Sequence, residues 1–256
     1  MNAAFIVPVY NHGSTLEAVV QSLLSYSLPV IVVDDGNDAE QQALIDLVVR
    51  NHAKDVVLVR RKKNGGKGRA MNDGVRKASE LGFSHVFQVD ADGQHDVSAC
   101  GLFLKEAEKA PQAVICGYPE YDSSVPASRR NGRKFSNAWA RFVTMNASIK
   151  DVLCGFRVYP VAPYMALLRH HAVINSHMGY DTDILVHLSW KGLEIRNCGV
   201  HVTYPKDGIS NFRMVRDNMH ISATYARLCV GMIVRLPLLI AQRRARRKSL
   251  CHGEQV

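Results

Sequence analysis

The sequence predicts an α/β fold in which a mostly parallel sheet carries helices on both faces. Through residue 90, short apolar runs alternate with segments whose apolar residues recur at helical spacing, which is the pattern of strand–helix–strand units. The chain also has 256 residues, of which 47% are hydrophobic. It is therefore long enough for one large domain and too apolar for a disordered chain.

The first half contains four predicted strands, which are AAFIVPVY at 3–10, the run within PVIVVDDGND, 55–60 and 85–90. Ser14 or Thr15 is expected to cap the helix that follows the first strand. A second helix is predicted near 38–52. A third is expected to follow the basic, glycine-rich loop RRKKNGGKGRAMNDG and to continue through about Leu81.

The second half is less regular. Its predicted strands are AVICG at 113–117, CGFRVYP as a short strand or turn, and LEIRNCGVHVTY as a strand pair or one bent strand. Its predicted helices are 132–147, YDTDILVHLSWKG and 218–247, the last broken at Leu236–Pro237 because proline disrupts a helix interior. No repeat or linker divides the chain, so one domain with a C-terminal extension is expected.

Polar residues gather at the ends of the predicted strands. In parallel sheets, ligands bind beyond the carboxyl ends of the strands. The residues at or just past such ends are Asn11, Asp34, Asp35, Lys67, Asp90 and Asp92. Their convergence is the first indication of a functional site.

The segment Asp90-Ala91-Asp92-Gly93-Gln94 carries the sharpest signal. Two carboxylates and an amide oxygen after a strand can bind Mg²⁺ or Mn²⁺, whose shell is completed by substrate phosphates and water. Asp-x-Asp alone is common, and a solvated turn is the alternative. The apolar strand before it and the second acidic strand end upstream favour the metal site.

Two neighbouring segments have weaker signals. Asp34-Asp35-Gly36 is either a simple turn or a carboxylate pair that accepts hydrogen bonds from a ribose or base. The basic loop, which lacks the GxxxxGK[ST] pattern, is either solvated or a phosphate cradle formed by Lys62, Lys63, Lys67 and Arg69. Lys67 is the favoured phosphate ligand because it lies where the helix starts.

Charge and cysteine content narrow the class of protein. Lys and Arg number 32 against 23 Asp and Glu, a net charge of +9 that favours anionic partners. The six cysteines form no CxxC pair or zinc cluster, which suits a reducing compartment. The N-terminus does not resemble a signal peptide. A cytoplasmic location is therefore expected.

Four stretches occur in register and in order over the first hundred residues: FIVPVYNHGSTL, VIVVDDGND, NGGKGRAMNDGV and VFQVDADGQHD. With them the chain resembles the family 2 inverting glycosyltransferases, which have a GT-A fold. CGFRVYP and GYDTDILVHLSWKG resemble the polyprenyl-phosphate sugar synthase branch, typified by dolichyl-phosphate mannose synthase. The resemblance covers roughly 3–215. It implies a glycosyltransferase domain at 1–215, a GDP- or UDP-linked sugar donor and a divalent metal. The rest of the chain, 216–256, is expected to form an amphipathic, basic helical extension.

The resemblance also assigns residues. The donor would be bound by Pro8, Tyr10, Asn11, Asp34, Asp35, Lys67, Asp90 and Ala91, and the Mg²⁺ or Mn²⁺ by Asp90, Asp92 and Gln94. Asp181 and Asp183 occupy the segment of the catalytic base, and the two rank almost equally; one of them is expected to cap the helix that starts near Thr182. The phosphates or the acceptor would be contacted by Arg157, Lys206, Ser210 and Arg213.

Two departures from the family bear on the substrates. Mannose synthases carry an Arg and a Lys around a Gly-x-Ser motif that contacts phosphates. Gly208 and Ser210 of this chain fit the motif, but its basic groups are shifted to Lys206 and Arg213. The donor nucleotide and the acceptor are therefore left open. The QxxRW motif of processive synthases is absent, so transfer of one hexose is expected. The acceptor would be a lipid-linked or polyprenyl phosphate, with a glycolipid or an envelope glycan as the alternative.

The C-terminus suggests contact with a membrane. LCVGMIVRLPLLIA at 228–241 is apolar but interrupted by Arg235 and Pro237, and the basic run QRRARRKS follows it. An interfacial helix on the inner face of the cytoplasmic membrane and a core helix with a basic tail are both open. The rival class is a non-enzymatic basic protein that binds membranes or nucleic acid. Nucleic acid is not expected, because the acidic strand ends would repel phosphodiesters.

Overall fold

In the computed structural model, which describes residues 1–120, 127–170, 173–201 and 214–253, seven strands form one sheet. The strands are β1 (Ala3–Val9), β2 (Val30–Asp34), β3 (Val56–Arg60), β4 (His85–Gln88), β5 (Val114–Glu120), β6 (Arg157–Pro160) and β7 (Ile195–His201). Their order is β3-β2-β1-β4-β6-β5-β7. Strand β6 runs antiparallel to β4 and β5, whereas the other neighbouring pairs are parallel. The predicted mostly parallel sheet is confirmed.

Eight α-helices are assigned within the described residues. They are α1 (Gly13–Leu24), α2 (Ala39–Asn51), α3 (Lys67–Glu80), α4 (Cys100–Lys109), α5 (Ala127–Thr144), α6 (Val161–Arg169), α7 (Tyr180–Trp190) and α8 (Met214–Gly253). Helices α4 and α6 have no counterpart among the predicted helices. LEIRNCGVHVTY, expected as a strand pair or one bent strand, contains the single strand β7 in its described part.

The helices cover both faces of the sheet, as predicted. Alternate residues of a strand point to opposite faces. On β1, Ala4 and Ile6 join an apolar cluster that includes residues of α3 and α5–α8. Phe5 and Val7 join a second cluster, which includes residues of α1, α2 and α4. All four side chains are fully buried. The sheet therefore lies between two apolar layers.

The order of the strands places a crevice at one edge of the sheet. From β1 the chain moves outward through β2 to β3, and it then returns to place β4 on the other side of β1. Such a reversal separates the loops that follow the two central strands and opens a ligand crevice at their carboxyl ends. Here that crevice lies beyond Val9 and Gln88.

The predicted helix caps are wrong. The residue that precedes α1 is His12, and its side chain makes no capping bond. Thr15 instead donates to the carbonyls of Ala91 at 2.6 Å and His12 at 3.1 Å, which ties α1 to the loop after β4. Helix α7 follows Gly179, again without a side-chain cap, and neither aspartate of its first turn acts as one. These side chains bind partners elsewhere in the fold.

Helix α8 is continuous through Pro237, so the predicted break at Leu236–Pro237 is also wrong. Proline removes the donor that the carbonyl four residues earlier would receive. That carbonyl belongs to Ile233, whose side chain is 69% exposed, so the missing bond falls on the open side of the helix. Unbroken, α8 contains one stretch, Met219–Arg246, that is long and apolar enough to cross a membrane by length and composition. The division into 1–215 and 216–256 stays a prediction.

Candidate functional site

An ammonium group and two carboxylates meet at the crevice. Lys67 is the first residue of α3, and its Nζ lies 2.8 Å from Asp90 Oδ1 and 2.9 Å from Asp90 Oδ2. The same Nζ lies 3.0 Å from Oδ2 of Asp181, in the first turn of α7. Three residues that were predicted separately thus form one cluster, which we call the Lys67 triad.

The charges of the triad reinforce one another. Burial lowers the pKa of Lys67, but Asp181 and Asp90 more than offset it, so the pKa is raised overall. Burial raises the pKa of Asp90, whereas Lys67 and His95 lower it, and the pKa ends below its usual range. His95 Nε2 lies 3.8 Å from Asp90. At neutral pH, Lys67 and Asp90 are therefore both charged.

Two neighbours that sequence reasoning missed support the triad. Gln88 on β4 donates its amide to Asp181 Oδ1 at 2.9 Å. Gly155 leaves room for the triad, because a Cβ there would lie 2.6 Å from Lys67 Nζ and 2.8 Å from Asp90 Oδ2. The signal for Gln88 was present in the sequence, as a polar residue within the buried strand VFQVD. The fit around Gly155 depends on distant segments and has no local signal.

Arg157 lies behind the triad and not on an open surface. Its side chain is fully buried in β6, and Nη1 donates to the backbone carbonyl of Asp181 at 2.5 Å. Its Nε and Nη2 atoms are buried without a hydrogen-bond partner. Arg157 thus holds the first turn of α7 against the sheet. Its contact with a phosphate or an acceptor stays a prediction.

Asp35 organises the basic loop. One of its oxygens accepts from Gly65 N at 3.0 Å and the other from Gly66 N at 2.7 Å, and Arg61 Nε lies 2.8 Å away. Gly66 precedes α3 with φ 87°, a left-handed conformation that favours glycine. Asp35 therefore fixes the turn that precedes Lys67. This structural role is independent of the predicted contact of Asp35 with a nucleoside, which stays a prediction.

The remaining predicted donor ligands border the same crevice. Asp34 is buried and accepts from Arg60 Nε at 2.7 Å and from Asn37 N at 3.0 Å. The backbone amide of Asn11 donates to Asn37 Oδ1 at 2.7 Å. Tyr10 is 38% exposed. Pro8 is half-buried and Ala91 is buried, on strand β1 and just after β4 respectively. The structure thus brings the predicted ligands of the first half to one edge of the sheet.

Asp183 faces a different environment from Asp181. Its side chain has no exposed surface, and Oδ2 accepts from Asn175 N and from Arg227 Nη2, both at 2.5 Å. His187 Nδ1 lies 3.1 Å from Oδ1. Asn175 also donates to Thr224 Oγ1 at 2.7 Å. Asp183 is therefore enclosed in a brace between α7 and α8, whereas Asp181 belongs to the Lys67 triad.

The residues present fit a hard divalent cation with few protein ligands. Within the described ranges, no group of three His, Cys, Asp or Glu side chains gathers around a common point. Asp90 Oδ1 is buried and makes no hydrogen bond, despite its ionic contact with Lys67. Asp92 and Gln94 are half-buried on the following turn, where Asp92 Oδ1 accepts from Gln94 N at 3.0 Å. Mg²⁺ ordinarily takes one or two carboxylates and completes its shell with water and phosphate.

Other predicted ligands lie away from the triad or outside the described residues. Lys62, Lys63 and Arg69 are exposed on the loop and on the first turn of α3. Lys206, Ser210 and Arg213 lie outside the described residues, so their predicted contacts with phosphates or an acceptor stay predictions.

Comparison with known proteins agrees with this architecture. Over 120 residues the chain is 28% identical to poly-beta-1,6-N-acetyl-D-glucosamine synthase of Staphylococcus epidermidis, which covers 45% of this chain and 28% of that protein. Over 160 residues it is 26% identical to polyprenol monophosphomannose synthase of Mycolicibacterium smegmatis, which covers 60% of each. The chain thus matches less than two thirds of the length of either relative.

A solved structure shows the same fold. TarS residues 1–349 of S. aureus, in complex with UDP-GlcNAc, superimposes with a TM-score of 0.57 at 15% identity, over 89% of this chain and 66% of that one. Residues 4–175 match the family model described as glycosyl transferase family 2. Such a match does not fit the rival interpretation of a non-enzymatic basic protein. The chain belongs to glycosyl transferase family 2, a family of glycosyltransferases, and has the predicted GT-A fold.

Proposed function

We propose that this chain is a metal-dependent, inverting hexosyltransferase that transfers one hexose from a GDP- or UDP-linked sugar to a lipid-linked or polyprenyl-phosphate acceptor. The observation that carries the proposal is the Lys67 triad at the crevice beyond the carboxyl ends of the central strands. It places two carboxylates, those of the proposed metal ligand Asp90 and of Asp181, within 3.0 Å of the Lys67 ammonium. Donor activation and acceptor activation both need groups of these types.

The donor would lie across the carboxyl ends of β1, β2 and β4. Tyr10, with its exposed ring, and Asp35 would border the nucleoside, and Lys67 would face the diphosphate. Mg²⁺ or Mn²⁺, held by Asp90, Asp92 and Gln94, would neutralise charge that develops on the leaving nucleoside diphosphate. Lys67 would add a second positive charge on the same side.

Asp181 is the better candidate for the catalytic base. Its side chain is 12% exposed and lies beside the crevice, whereas that of Asp183 has no exposed surface and is bound by Arg227. A base must reach the proton that it removes. For a hydroxyl acceptor, Asp181 would accept that proton. A phosphate acceptor is already ionised, and Asp181 would then act by holding Lys67 and Gln88.

Helix α8 supports a membrane-bound acceptor. The most apolar 18 residues within Met219–Arg246 have a mean hydropathy of 1.5, yet only 17% of them are buried inside the fold. Ile233 and Val234 are 69% and 73% exposed, and Arg243 and Arg244 follow on the exposed surface. An apolar helix that ends in basic residues suits an anionic leaflet, such as the inner face of the cytoplasmic membrane. The relative named polyprenol monophosphomannose synthase favours a polyprenyl phosphate as the acceptor.

A transfer assay tests the proposal. The protein is incubated with radiolabelled GDP-mannose, UDP-glucose or UDP-N-acetylglucosamine, with Mg²⁺ or EDTA, and with anionic vesicles that contain polyprenyl phosphate. We expect one donor to pass a single sugar into the organic phase, only with metal. Transfer to a glycolipid alone would favour the alternative acceptor, and products of many sugars would contradict single transfer.

A further inference from the structure

The position of Lys67 in the crevice assigns it a role beyond that of a phosphate ligand. We propose that Lys67 is an exchangeable internal counter-ion: its ammonium neutralises Asp90 and Asp181 in the metal-free chain, and a divalent cation displaces it from Asp90. This inference rests on the proposed metal dependence. It predicts that the protein itself opposes metal binding until the donor is present.

The geometry carries the first step. Lys67 Nζ lies within 2.9 Å of both oxygens of Asp90, so the ammonium occupies the side on which a cation would approach that carboxylate. A cation bound there would lie beside an ammonium group, and two positive charges so close repel strongly in a partly shielded site. Lys67 and the metal therefore compete for Asp90.

The surroundings show that the ammonium is held and not merely nearby. Asp181 Oδ2 accepts from Nζ at 3.0 Å, and Gln88 fixes the other oxygen of Asp181 at 2.9 Å. Gly155 adds no side chain on this side, where a Cβ would lie 2.6 Å from Nζ. The site thus gives Lys67 a position between its two carboxylates. When a cation binds Asp90, the Lys67 ammonium remains paired with Asp181.

The donor would remove the competition. The phosphates of a nucleoside diphosphate supply ligands to the metal and also a negative charge for the released ammonium. Metal and nucleotide would then strengthen each other's binding, and by linkage the effect must be reciprocal. Without Lys67 the metal would have no internal competitor, and this coupling would weaken.

Binding of Mn²⁺, followed by electron paramagnetic resonance, tests the inference without reference to turnover. The titration is done on the full chain with and without UDP or GDP, for the wild type, Lys67→Met and Lys67→Gln. We expect either variant to bind Mn²⁺ at least about tenfold more tightly than the wild type in the absence of nucleotide. We also expect nucleotide to improve Mn²⁺ affinity less in the variants than in the wild type.

Lys77→Met is the matched control. Lys77 is on the same helix and pairs with Glu80 at 3.2 Å, away from the triad. This control should bind Mn²⁺ as the wild type does. Equal or weaker Mn²⁺ binding by the Lys67 variants would overturn the counter-ion role. If no form binds Mn²⁺, even with nucleotide, the proposed metal dependence fails and the counter-ion role fails with it.

A measurement on the wild type covers the case in which the variants do not fold. Acetylation of lysines by an amine-reactive ester is followed by mass spectrometry, with and without saturating Mn²⁺. Because contacts with Asp90 and Asp181 restrain the Lys67 ammonium, we expect Mn²⁺ to raise its acetylation rate at least about threefold relative to Lys77. An unchanged ratio at saturating metal would show that Lys67 is not displaced.

Discussion

Lys67 and Asp181 are separated by 114 positions in the chain, yet Nζ of one lies 3.0 Å from Oδ2 of the other. The contact joins the first turn of α3 to the first turn of α7. The first half of the chain carries the strand ends that we propose bind the donor, and the second half carries the candidate base, so the two halves form one candidate site.

Asp181→Asn and Asp183→Asn should affect different properties: the first should mainly lower activity, and the second should mainly lower stability. Asp181→Asn should lower the rate of transfer to a hydroxyl acceptor by about 10²- to 10⁴-fold, the usual contribution of a general base, and should lower transfer to a phosphate acceptor less. Asp183→Asn should lower the free energy of unfolding by about 2–3 kcal/mol, because it breaks a buried contact with the partly exposed Arg227. Transfer assays and urea unfolding measure the two effects.

Arg227→Gln is the matched control for the brace. If Asp183 acts through Arg227, adding Asp183→Asn to Arg227→Gln should cost less than Asp183→Asn does alone. Asp183→Asn protein that is fully stable but inactive would instead identify Asp183 as the base.

Gly155→Ala should weaken binding of metal and donor. The new Cβ would lie within 2.9 Å of Lys67, Asp90 and Gln88, so the triad must shift. We expect nucleotide affinity in the presence of Mg²⁺ to fall at least about tenfold, as measured by calorimetry. Gly132→Ala on α5 is the control, since a Cβ there meets nothing within 4 Å. Unchanged affinity in Gly155→Ala would show that the crevice accommodates a methyl group at position 155 without displacing the Lys67 triad.

The sequence predicted the site better in its first half than in its second. Acidic residues after apolar strands locate the crevice, because parallel strands bring their carboxyl ends to one edge. In contrast, Asp181 and Asp183 are two positions apart on one helix, and their sequence context is nearly the same. What separates them is tertiary: Arg227 and Asn175 enclose one, and Lys67 reaches the other. Arg227 lies 44 positions from Asp183 in the sequence, and Lys67 lies 114 positions from Asp181.

His85 should make the protein less stable in mild acid. Burial lowers the pKa of His85 below 6.5, although its hydrogen bond with the Pro111 carbonyl opposes the shift. Below pH 6.5 the unfolded chain therefore takes up a proton that the folded chain resists, and the free energy of unfolding falls. The full contribution of His85 to stability is present above that pH.

His85→Gln isolates this contribution. Urea unfolding at about pH 7.5 and about pH 5.5 should show a smaller loss of stability in the variant than in the wild type. The glutamine amide of the variant can still donate to the Pro111 carbonyl and does not titrate. Equal losses in the two proteins would assign the pH dependence to other groups.

The exposed apolar side of α8 should bind anionic vesicles. Ile233→Asp with Val234→Asp places two charges where the structure has two of its most exposed apolar side chains. Cosedimentation with anionic vesicles should fall at least about tenfold in affinity. Leu47→Asp on α2, which is 48% exposed, is the control and should bind as the wild type does. Full binding by the double variant would contradict a lipid contact at this face.

Helix α8 also shows where sequence reasoning stops. Proline in an apolar run predicts a break, because the sequence does not reveal which side of the helix carries the unpaired carbonyl. The structure places the exposed Ile233 there, so the helix continues. The predicted caps fail for a similar reason, since Thr15 finds a partner in Ala91, 76 positions away.

The metal dependence of donor binding tests the proposed metal site most directly. Thermal unfolding of the wild type and of Asp92→Asn is followed with GDP-mannose, UDP-glucose, UDP-galactose and UDP-N-acetylglucosamine, each with Mn²⁺, Mg²⁺ or EDTA. We expect one donor to raise the melting temperature of the wild type only with metal, and Asp92→Asn to lose this shift. A donor that binds equally well in EDTA, or an Asp92→Asn protein that keeps the full shift, would contradict the metal site at the centre of the proposed mechanism.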